Sequence, residues 1–140
     1  MKKIAILGST GSIGKGAIEV ISYLKDELYA SSLVANENIH LLAKQALRLK
    51  PKVIAIAKKE LVHELKRLIQ GEKIKVLGGE DGVIEALITP EVSLVLACSS
   101  GISGLMPIIE ALKSGKDIAL ANKESLITGG KIIMLSLIHI

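Results

Sequence analysis

The chain reads as an α/β domain, a doubly wound, mainly parallel sheet flanked by helices in three layers. Short aliphatic runs alternate with longer amphipathic segments along all 140 residues, the pattern of repeated strand–helix units rather than of a bundle or a sandwich. The apolar residues, 49% of the total, are Ile, Leu, Val and Ala with no Phe, no Trp and only Tyr23 and Tyr29. Strands buried on both faces need such continuous aliphatic runs. A chain of this length forms one domain and buries roughly two-thirds of its unfolded surface.

About six strand–helix units follow from the periodicity. The strands are expected at Lys3 to Leu7, Ala30 to Val34, Val53 to Ala57, Ile74 to Leu77, Leu94 to Ala97 and Ile118 to Leu120. Between them Ile13, Ala17, Val20, Ile21 and Leu24 share one helical face, as do Leu42, Ala46 and Leu49, and then Leu61, Leu65, Leu68 and Ile69. Asn38 is placed to cap the second helix and Pro51 to close it, since proline disfavours a helical residue before it. Gly71, Gly78-Gly79, Pro90 and Gly115 fall where turns are needed, with Glu80-Asp81 in the second of these. Pro107 suits the first turn of a helix running to about Ser114, where its missing amide costs nothing.

Composition excludes several function classes. The net charge of +4 comes from 18 basic and 14 acidic side chains. The basic ones are scattered over helix faces, without the block of charge or the aromatic platforms that nucleic-acid binding requires. Cys98 has no partner for a disulfide, which fits a reducing cytoplasm. No apolar stretch reaches the roughly 18 to 20 residues of a membrane span, and no signal-peptide core follows Met1-Lys2-Lys3. His40 and His63 have no second ligand at metal spacing, so no metal site is expected.

The loop Gly8-Ser9-Thr10-Gly11-Ser12-Ile13-Gly14 follows the first strand and opens a helix. Glycine there accepts positive backbone angles and lets the main chain approach a phosphate, while the helix amino terminus offers free amides and a positive dipole end. Thr10 and Ser12 add hydroxyl donors. The spacing is Gly-x-x-Gly-x-x-Gly, which is not the common dinucleotide fingerprint, and Gly14-Lys15-Gly16 lacks the hydroxyl of a P-loop. A tight ligand-free turn is the alternative reading of the loop alone.

At the end of the second strand stands Ala35-Asn36-Glu37-Asn38. An acidic residue here commonly binds the adenosine ribose of NAD, whereas a basic or small one accommodates the extra phosphate of NADP. Glu37 therefore either binds ribose or points to solvent near the next helix, favoured by its dipole. The small-residue stretch Ser99 to Pro107 suits a loop at the carboxyl edge of the sheet. After the sixth strand, Ala121-Asn122-Lys123-Glu124-Ser125 could be an ordinary helix entry capped by Asn122. Cys98 reads as a small buried hydrophobe.

These motifs resemble, nearly residue for residue, the cofactor-binding half of the 1-deoxy-D-xylulose 5-phosphate reductoisomerase family. Gly8 to Gly14 matches that family's Gly-Ser-Thr-Gly-Ser-Ile-Gly without a change, Gly104, Leu105 and Pro107 match its Gly-Leu-x-Pro, and Ala121 to Ser125 completes the likeness. The resemblance implies a Rossmann-like oxidoreductase and isomerase of non-mevalonate isoprenoid biosynthesis. That family converts 1-deoxy-D-xylulose 5-phosphate to 2-C-methyl-D-erythritol 4-phosphate, using NADPH and a divalent metal (Mg, Mn or Co), and forms homodimers. It implies cofactor contacts at Gly8, Thr10, Gly11, Ser12, Ile13, Asn36, Glu37, Asn38, Asn122 and Glu124, and a sugar-phosphate contact at Lys123. The family usually carries glycine, then a basic or small polar residue, then asparagine at the second strand's end. Asn38 matches, Asn36 can occupy glycine's left-handed conformation at some cost, and Glu37 departs, which raises NADH beside NADPH.

Leu135-Ser136-Leu137-Ile138-His139-Ile140 breaks the register of a helix beginning near Glu124 and reads like the translation of a sequencing-library adapter. The expectation is a dinucleotide-binding domain over residues 1–134, a non-native tail over 135–140, and catalytic residues and metal ligands beyond the chain, leaving the fragment inactive by itself. Two other readings stand beside this one: a dehydrogenase of the semialdehyde type, and a free-standing nucleotide-binding regulatory module.

Overall fold

The computed structural model describes residues 1–98 and 104–121 and the backbone of residues 136–138. The elements run β1 (Lys2–Leu7), α1 (Ser12–Tyr23), β2 (Leu28–Ala35), α2 (Ile39–Leu49), β3 (Val53–Ile56), a 3-10 turn (Lys59–Leu61), α3 (Val62–Leu68), β4 (Lys75–Gly78), α4 (Gly79–Leu87), β5 (Leu94–Ala97), α5 (Leu105–Lys113), β6 (Asp117–Leu120) and β7 (Ser136–Ile138). All six expected strands are present within two residues of their expected bounds.

The sheet has the order β4-β3-β2-β1-β5-β6-β7. The strands β1 to β6 pair in parallel, and β7 joins the edge antiparallel to β6. The chain winds outward from β1 to β4, then crosses back to place β5 on the other side of β1. That reversal is the topological switch point, and doubly wound sheets bind ligands in the crevice outside the carboxyl ends of their strands there.

Alternation along each strand sorts the core into two layers. Ile4, Ile6, Ile54, Ile56, Leu94 and Leu96 face one side, where Ile18 and Ile21 of α1, Leu42 and Ala46 of α2 and Leu65 of α3 cover them. Ala5, Leu7, Val34, Ala55, Val95 and Ala97 face the other, under Val83, Ala86 and Leu87 of α4 and Ala111 of α5. Bulky side chains thus meet three helices, and smaller ones meet α4, which lies across β1 to β4 and touches α5. Burying a Leu- or Ile-sized side chain is worth about 1.5–3 kcal/mol, so these two layers carry the fold.

One local expectation is corrected. Glu80 and Asp81 lie in the first turn of α4 rather than in a turn between runs, as acids near a helix amino terminus do. Asn36 does not adopt the left-handed conformation: among the described non-glycine residues only Lys50 has a positive φ. The Asn36 carbonyl accepts a hydrogen bond from Lys58 N at 3.1 Å, which extends the β2–β3 ladder and keeps the chain from turning early.

Candidate functional site

The glycine loop is shaped by backbone contact. Gly8 has φ +87°, and the amides of Gly8 and Ser9 both donate to Val34 O, at 2.8 and 3.0 Å. The chain therefore bends across the end of β2 immediately after leaving β1. A Cβ on Gly14 would stand 2.0 Å from Gly8 O and 2.7 Å from the Ser9 backbone, so α1 can start this close to β1 only with glycine there. Gln45 of α2 is buried and donates from Nε2 to Ser9 O at 2.9 Å, fixing the loop from its other side.

The consequence is a set of unpaired donors. The first hydrogen bond of α1 runs from Lys15 N to Gly11 O, and no side chain caps Gly11. The amides of Ser12, Ile13 and Gly14 precede it and have no helical acceptor. Gly11 and Ser12 are exposed, Thr10 is half-buried, and Ile13 packs its side chain against the core. Amides, dipole and an open approach over Gly11 form a cradle that can accept an anion such as a pyrophosphate.

Beside this cradle a cleft of about 480 Å³ opens at the carboxyl ends of β1, β2 and β3, its walls including Gly8, Asn36, Ala57, Glu80 and Met106. Asn36 lines the cleft, and Glu37 and Asn38, which follow it, are exposed as it is. Asn38 caps α2, its Oδ1 accepting from Leu41 N at 3.1 Å, as the sequence indicated. Glu37 pairs with Lys58, its Oε2 against Nζ. This hydrogen bond and the Glu37 charge raise the Lys58 pKa above its ordinary value, so the ammonium is held in its charged form.

The sequence therefore located the loop and the β2 exit, and the structure sets them side by side on one edge. Lys58, Glu80 and Met106 were missed, for they reach the rim from the exit of β3, from α4 and from α5 and carry no motif. Asn122, Lys123 and Glu124 lie outside the described residues. Cys98 is buried, and burial pushes its thiol up to about 12, as expected of an inert packing residue rather than a nucleophile. Among the described residues no group of three His, Cys, Asp or Glu side chains could hold a metal ion, and no helix is long and apolar enough to cross a membrane.

Sheet order, switch point and glycine cradle together define a Rossmann-like domain of the doubly wound class. Residues 4–130 match the sequence profile of 1-deoxy-D-xylulose 5-phosphate reductoisomerase. The reductoisomerase of Chloroherpeton thalassium is 47% identical over 133 residues, covering 95% of this chain and 34% of the relative. That of Caldanaerobacter subterraneus is 44% identical over 134 residues, covering 96% and 35%. Among solved structures, the Zymomonas mobilis reductoisomerase in complex with NADPH superposes with a TM-score of 0.80 at 34% identity, over 91% of this chain and 34% of that one. A reductoisomerase in complex with NADPH, fosmidomycin and magnesium gives 0.82 at 30% identity, over 90% and 31%. This chain belongs to the 1-deoxy-D-xylulose 5-phosphate reductoisomerase family, and it spans about a third of the length of the relatives it matches.

Proposed function

We propose that residues 1–134 bind NADPH as the cofactor domain of an enzyme that converts 1-deoxy-D-xylulose 5-phosphate to 2-C-methyl-D-erythritol 4-phosphate. The observation that carries this reading is the cradle at the start of α1. Its amides without a helical acceptor face an open approach over Gly11, where Gly14 seats α1 against the Gly8 carbonyl, a geometry that suits a pyrophosphate.

Thr10, Gly11, Ser12 and Ile13 hold the pyrophosphate through main-chain amides, with Gly8 giving the turn. Asn36, Glu37 and Asn38 surround the adenosine ribose. Asn122 and Glu124 contact the cofactor as well, and the Lys123 ammonium holds the anionic sugar phosphate. Bound NADPH supplies the hydride; the domain orients it and excludes water from one side. Homodimer formation and a cytoplasmic location belong to the same proposal, as does the division between this domain and a non-native segment over 135–140.

Calorimetric titration of the 140-residue chain with NADPH tests the reading. Saturable binding is expected, and its absence overturns the assignment. The same polypeptide given the sugar phosphate, NADPH and magnesium is expected to oxidise no NADPH; turnover would place catalytic residues within these 140.

A further inference from the structure

An acidic side chain at the end of β2 normally selects against NADPH, because a carboxylate that accepts from ribose hydroxyls repels a 2′-phosphate. Glu37 occupies that place, but it is not a free carboxylate. Its partner Lys58 lies two residues past the end of β3, as Glu37 lies two residues past the end of β2; Asn36 and Ala57, the residues before them, both line the cleft. The bond from Lys58 N to Asn36 O fixes the two strand exits against each other at 3.1 Å.

We propose that Lys58 is the residue that admits a 2′-phosphorylated dinucleotide to this chain, by neutralising Glu37 and offering its ammonium to the phosphate from the exit of β3. The inference rests on the NADPH reading above and names the residue that sets its specificity. An ammonium has three N–H donors, and the pair with Glu37 occupies one. Charge at the rim is balanced within the pair, and a phosphate dianion approaching it meets a cation placed to replace the carboxylate as partner. Glu37 then serves as a counter-ion that holds Lys58 at the rim while the site is empty. Glu60 acts on the same ammonium more weakly. Both side chains of the pair are about half exposed, and exposed pairs contribute little to stability, so substitutions here leave the fold in place.

The test is calorimetric titration of the full chain and its variants with NADPH and, separately, NADH. Lys58→Met is expected to weaken NADPH roughly tenfold or more, the loss of a charged hydrogen bond, with NADH unchanged or tighter. Glu37→Gln is expected to tighten NADPH and weaken NADH, and Lys58→Arg to retain the wild-type preference. If the wild type binds NADPH and Lys58→Met keeps the same ratio of affinities, Lys58 has no such role and the cofactor reading survives. If the wild type binds neither dinucleotide, the cofactor reading itself fails, and this inference with it.

Discussion

The glycine loop separates two demands that its sequence merges. Gly14 is required by the fold, since a Cβ there collides with Gly8 O at 2.0 Å. At Gly11 the nearest heavy atom to an added Cβ is Gly8 O at 3.7 Å, an ordinary contact, and its φ of −76° suits any residue. The fold does not need that glycine, but a phosphate approaching the α1 amides does. Gly14→Ala is expected to cost about 2–4 kcal/mol in urea denaturation. Gly11→Ala is expected to stay within about 0.5 kcal/mol of wild type while losing most NADPH binding by calorimetry. Equal stability losses in the two variants would refute the distinction. The loop could be found by reading because its chemistry is local. The pairing of Glu37 with Lys58 could not, because it joins residues just past the ends of two different strands.

Helix α2 shows what an element adds to its residues. Its first turn is capped by Asn38, a signal legible from one residue type in one place. Its last turn ends in Lys50 at φ 52° and ψ 56°, a left-handed conformation that a non-glycine residue pays for. Two interactions hold Lys50 there: Tyr29 Oη donates to its carbonyl at 2.6 Å, and its Nζ pairs with Glu72 at 2.7 Å. Asn38→Ala is expected to lower stability by about 1 kcal/mol. Lys50→Gly is expected to raise it by about 0.5–1 kcal/mol, because relief of backbone strain exceeds an exposed ion pair. Thermal denaturation of both variants decides, and a destabilised Lys50→Gly would mean that the Glu72 pair outweighs the strain. Helix α4 was illegible for the opposite reason. Gly78-Gly79-Glu80-Asp81-Gly82 has the composition of a turn, yet Gly82 is buried in the helix with Leu77 3.0 Å from where its Cβ would be. Close packing on the sheet, not local propensity, makes that segment helical.

For the whole molecule, the strand order was not written in any segment, whereas the fold class was. Six aliphatic runs specify a buried parallel sheet, but only packing fixes β5 beside β1 and so creates the crevice. Cys98 reports on that junction. It follows β5, donates its amide to Leu7 O of β1 at 2.9 Å, and lies in the layer under α1, α2 and α3. Burial moves its pKa from 9.0 to about 12, so between those values the folded chain keeps a proton that the unfolded chain releases. The unfolded state then binds fewer protons, and stability falls as pH rises across this window by up to about 1.4 kcal/mol per unit. Below pH 9 the contribution is intact. Lysines and tyrosines also titrate here, so the informative quantity is the difference between wild type and Cys98→Ala. At pH 7 the variant is expected to be less stable by the cost of its small cavity. At pH 10 the gap is expected to narrow by about 1 kcal/mol, since only the wild type pays to keep a neutral thiol inside. Urea denaturation at the two pH values measures it. A gap that stays constant would mean that the thiol ionises alike in both states, and that the junction between β1 and β5 opens to water.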